Sequence, residues 1–89
     1  MTPARLRRAR EILEASPALD QVLDLYAVRA GPYEVVFAAK AHPADGQSVG
    51  GLAEVLDSLD QQLRRELLEI GEVFIDVTAN RRPVEPDRS

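Results

Sequence analysis

His42 is the only imidazole in an 89-residue chain that has no cysteine, so it is the best ligand the sequence offers for zinc and neighbouring metals. It stands beside Pro43 and close to Asp45. Two carboxylates interrupt apolar runs elsewhere: Asp24 within Val22-Leu23-Asp24-Leu25, and Asp76 within Phe74-Ile75-Asp76-Val77. An imidazole and two carboxylates arriving from separate strands would hold a divalent cation, and Asp24, His42 and Asp76 are the candidate metal ligands. A plainer account stands beside this one. His42 then simply ends a strand, and alternation turns each aspartate to water or toward an arginine across a dimer interface. A closed structural zinc site asks for four ligands, and no such set shows in the spacing.

Other chemistries are poorly served. The absence of cysteine removes disulfides, thiolate sites and thiol nucleophiles. A nucleophile and base could only be a serine with His42, and Ser16, Ser48 and Ser58 all have simpler cap or surface roles. No arginine lies in the His42–Ser48 connection, where an acylphosphatase-type site would need an anion-binding one. Gly50-Gly51 has no companion phosphate-loop motif and reads as a loose first turn of a helix. An enzyme is therefore not expected. The net charge of −4 argues against a nucleic-acid partner, since phosphate neutralisation needs a basic surface. The longest apolar run, Val35-Val36-Phe37-Ala38-Ala39, falls far short of the roughly 20 residues that span a bilayer.

The length suits one domain, which at this size removes only about 60–65% of its unfolded surface from water. With two Phe, two Tyr and no Trp, the core falls to Leu, Val, Ile and Ala, and a second copy would help stabilise it.

The elements that position the candidate ligands follow from local signals. Thr2-Pro3 offers a cap and a first-turn proline, and Leu6, Ala9, Ile12 and Leu13 share one face, which predicts a helix over 3–15 ended by Ser16-Pro17. Arg5, Arg7, Arg8 and Arg10 make a basic cluster on it, read either as a solvated face paired with Glu11 and Glu14 or as a surface near anionic headgroups. Two β-rich runs over 20–29 and 33–42 flank Ala30-Gly31-Pro32, the mark of a hairpin. Val35, Phe37, Ala39 and Ala41 form a wholly apolar face of the second run. Asp45-Gly46 is turn chemistry, and Ser48 caps a helix predicted over 48–70, with Gly71 as its C-cap and a last strand over 72–78. Glu54, Asp57 and Asp60 form its wet stripe. The tail over 81–89 has little to bury and is expected to be loose.

The order α-β-β-α-β, with a long helix between the last two strands, makes those strands parallel. The expected class is α+β, a two-layer sandwich in which both helices cover one face of a three-stranded mixed sheet. The opposite face is left open and needs a partner.

Val22-Leu23-Asp24-Leu25, Gly31-Pro32-Tyr33-Glu34-Val35-Val36, Ala39-Lys40-Ala41-His42 and Gly71-Glu72-Val73-Phe74-Ile75-Asp76, in that order and spacing, resemble the cytoplasmic C-terminal domain of cation diffusion facilitators. The ending Ile12-Leu13-Glu14-Ala15-Ser16-Pro17 fits the same pattern, so the resemblance spans about residues 5 to 78. It implies a ferredoxin-like, metallochaperone-like fold over 1–80 and a homodimer at the cytoplasmic face of a membrane, beside the transmembrane domain of the same transporter. It also implies a regulatory domain that senses cytosolic Zn2+ or another divalent cation. The alternative is a dimerisation module that works without metal, or a free-standing relative of the domain. Of four metal positions in the family, Asp76 keeps a ligand side chain, whereas Leu23, Ala39 and Thr78 do not.

Overall fold

A computed structural model describes residues 1–78, and the tail expected to be loose lies outside the described residues. The chain runs α1 (Pro3–Glu14), β1 (Leu19–Arg29), β2 (Val35–Pro43), α2 (Val49–Glu66) and β3 (Ile70–Val77). The sheet order is β1-β2-β3; β2 pairs antiparallel with β1 and parallel with β3. This is the α+β two-layer architecture expected, with a three-stranded mixed sheet and the ferredoxin-like order of elements.

Both helices start where capping chemistry puts them. Thr2 Oγ1 accepts from the Arg5 backbone N–H at 3.2 Å, with Pro3 in the first turn. Ser48 Oγ accepts from Gly51 N–H at 3.0 Å, so Gly50-Gly51 is the first turn of α2. Gly46 between them has φ +84°, a conformation open to glycine at no steric cost, which makes Asp45-Gly46 the turn that aims α2 back over the sheet. The Ser48→Ala variant is expected to lose about 1 kcal/mol of stability, read from the urea midpoint at unchanged slope.

The core is built on the odd positions of β2. Phe37, Ala39 and Ala41 meet Ala9, Ile12 and Leu13 of α1, Leu59 and Leu63 of α2, and Leu67 and Ile70 beyond it. Phe37, Leu13 and Leu63 are fully buried.

α2 stops at Glu66, four residues before the predicted end. Leu67 leaves the helix with φ −120° and ψ 86° while its N–H still bonds the Leu63 carbonyl at 2.8 Å. A short turn follows, Ile70 N–H to Leu67 C=O at 3.0 Å, and Glu69 C=O already accepts from Val35 N–H at 3.0 Å. The pull is tertiary: Leu67 and Ile70 are both buried, and a continued helix would carry one of them off the core. Gly71 is consequently no C-cap. It is the extra residue of β3 in a register shift from Val35↔Ile70 to Val36↔Glu72, and the Glu34 side chain lies where a Cβ would be. Arg64 Nη1 donates to the Gly71 carbonyl at 2.8 Å, tying the last turn of α2 to this bulge.

Two more shifts lie in β1. Pairing passes from Leu19↔Pro43 to Gln21↔His42, and from Val22↔Ala41 to Asp24↔Lys40, so Asp20 and Leu23 are extra residues. Leu19, Val22 and Leu25 can then all reach the core although they are spaced by three.

Candidate functional site

The open side of the sheet is three rows deep, and each row crosses all three strands. Val28, Val36 and Glu72 form the first, Tyr26, Ala38 and Phe74 the second, and Asp24, Lys40 and Asp76 the third. Among the described residues no helix covers these rows. Tyr26 and Val28 are each 56% exposed and Phe74 58%, which makes an apolar band beside a charged one. In the charged row Lys40 stands in register between the two aspartates, so an ammonium lies between the carboxylates that the sequence offered as ligands.

His42 belongs to the next row along, opposite Gln21. It is the one buried polar residue among those described, at 8% exposure. Its Nδ1 has no hydrogen-bond partner, and neither has the buried Oε1 of Gln21. Asp20 Oδ2 lies 3.4 Å from that ring nitrogen. Thus the structure places Asp24, Asp76 and His42 on one face but in two rows. Among the described residues no three His, Asp or Glu side chains close on a common point.

Asp20 and Gln21 escaped the sequence reading. The signal was present: a pair of polar residues between Leu19 and Val22 breaks strict alternation, and both flanking residues can face the core only if the strand carries a bulge.

Three of the four arginines in the basic cluster on α1 pair with acids. Arg5 makes two hydrogen bonds to Glu69, at 2.6 and 2.7 Å, and Arg8 meets Glu66 at 2.9 Å and Glu11 at 3.4 Å. Arg10 reaches Glu14 at 3.4 Å. The hydrogen bonds from Arg5 hold the Glu69 carboxyl down at about 2, against an ordinary 4.5. Folding therefore favours the ionised carboxylate. The stabilisation is complete above about pH 4.5 and is lost as the pH falls toward 2. Both side chains are partly solvated, so screening holds the gain to roughly 1 kcal/mol. Glu69→Gln is expected to flatten the acid side of the stability profile between those two pH values, measured by denaturant unfolding at stepped pH.

An α-β-β-α-β sandwich with a three-stranded mixed sheet defines the class, a ferredoxin-like α+β domain. Solved structures that share it include C-terminal domains (CTDs) of MamM. A nickel form of a MamM CTD variant overlays with a TM-score of 0.75 at 16% identity, covering 90% of this chain and 100% of that one. A cadmium form of another variant gives 0.75 at 16% identity, covering 91% and 100%. A third MamM CTD structure gives 0.73 at 17% identity over 86% and 96%. At such identities the likeness is one of fold. No family model and no curated protein matches the chain. Among the described residues no helix is long and apolar enough to cross a membrane.

Proposed function

We propose that this chain is the cytoplasmic C-terminal domain of a cation diffusion facilitator, a homodimerising regulatory element of a metal-ion efflux transporter with no catalysis of its own. The observation that carries the reading is the coverage: a solved MamM domain, of that transporter family, is matched over 100% of its length by 90% of this chain. The residues that resemble the family run through the same elements, from α1 to β3.

In this reading the open sheet face takes a second copy. Tyr26, Val28 and Phe74 supply apolar area that a lone domain leaves in water, and the Asp24-Lys40-Asp76 row supplies both charges for pairing across a two-fold axis. The Lys40 ammonium makes Asp24 and Asp76 better suited to that ion-pair role than to holding a cation. Any metal response then rests on His42. The domain would work from the cytoplasmic side, beside the transmembrane part of its transporter.

Small-angle scattering of the dimer in chelator and in Zn2+ tests the regulatory part. Compaction on adding Zn2+, lost in His42→Ala, is expected. An identical dimer in both solutions would leave the metal-independent dimerisation module as the function.

A further inference from the structure

The β1 bulge at Asp20 brings three electron-pair donors to one corner of the sheet, and two of them are stranded. His42 Nδ1 and Gln21 Oε1 are buried without a hydrogen-bond partner, on residues that face each other across β1 and β2. Buried polar atoms in native structures are nearly always hydrogen-bonded, so something is expected to meet these two. Asp20, the extra residue of the bulge, adds a carboxylate oxygen 3.4 Å from the ring nitrogen. That gap is informative. Two ligands of a tetrahedral zinc ion, each bonded at about 2.0–2.1 Å, are separated by about 3.3–3.4 Å.

We propose that Asp20 and His42, with Gln21 Oε1 as a third donor, form a binding site for a borderline divalent cation of the zinc class within a single protomer. Imidazole, carboxylate and amide oxygen together suit zinc or nickel better than magnesium or calcium, which prefer all-oxygen shells. Three protein donors leave one position to water, so the site is exchangeable rather than a closed structural one. A lone water could bond the same atoms, and it is the competing occupant.

The proposal stands on geometry inside one chain and does not depend on the transporter reading. Its test is a Zn2+ titration of the whole chain, followed by calorimetry and by the 15N resonances of the His42 imidazole. One Zn2+ per chain is expected, with a large shift at Nδ1. Asp20→Asn and His42→Ala, each checked for folding by circular dichroism, should weaken binding at least tenfold. Asp24→Asn and Asp76→Asn should change it less than twofold. Asp20 is exposed, so Asp20→Asn carries the test should His42→Ala fail to fold. Binding should also persist in a monomeric Phe74→Glu variant, which separates failure of the dimer reading from failure of this site. An imidazole untouched by Zn2+, as a bound water predicts, overturns the proposal. Equal losses at Asp24 and Asp20, or binding that vanishes with the dimer, overturn it too.

Discussion

Phe74→Glu is expected to turn the dimer into a monomer while leaving the fold intact. Phe74 sits in the middle row of the open face, with Ala38 beside it and Tyr26 beyond, and most of its ring is in water in a single chain. Its loss therefore takes little from the protomer. In a two-fold dimer the substitution enters twice, and a buried carboxylate facing an apolar band has no partner. Aromatic anchors at the centre of an interface are commonly worth 2 kcal/mol or more on truncation, which corresponds to about 30-fold in the dissociation constant. Sedimentation at matched concentration measures the effect, and an unchanged melting temperature of the dilute protein shows that the sheet survives.

Phe37→Ala should do the reverse, striking the protomer first. Phe37 is fully buried near the start of β2, in one core cluster with Leu13 of α1 and Leu63 of α2, and removing its ring leaves a cavity that small neighbours such as Ala39 and Ala41 cannot fill. Such truncations cost about 3–5 kcal/mol. A domain of this length holds only about 4–13 kcal/mol in all. The melting transition is expected to fall by the order of 20 °C, followed by circular dichroism, and near the lower bound of stability the variant will be unfolded at 37 °C.

Most of the sandwich was legible because its signals are local. Alternation in β2, with Val35, Phe37, Ala39 and Ala41 on one side, marks the core face from two-residue spacing alone. Thr2-Pro3 and Ser48 announce their helices, and Asp45-Gly46 announces the turn before α2. Where the reading went astray, a tertiary contact overrode a local one. The run Leu59, Leu63, Leu67 continues helical spacing past the true end of α2. Nothing between Leu67 and Ile70 is a glycine or proline, so only the need to seat both residues in the core stops the helix there. Gly71 looked like the expected stop and instead accommodates a bulge beneath Glu34.

The site was harder to see for a related reason. Asp24 and Asp76 were recognisable as carboxylates inside strands, but their relation to Lys40 depends on register between strands far apart in sequence, one of them reached through an 18-residue helix. His42 stands out in the sequence as the one imidazole, and Asp24 and Asp76 are the acids that the strand pattern offers it. Asp20 and Gln21 join it only because β1 takes one extra residue at that point. The three-residue spacing of Leu19, Val22 and Leu25 carried that information, since a flat strand could not turn all three toward the core.

The dimer is the claim on which the functional account turns, and sedimentation equilibrium of the unaltered chain over a wide concentration range tests it most directly. A rise toward twice the 9.8 kDa mass of one chain is expected, with Tyr26 and Phe74 shielded in the heavier species. A single 9.8 kDa species at every concentration, in Zn2+ and in chelator alike, would contradict it.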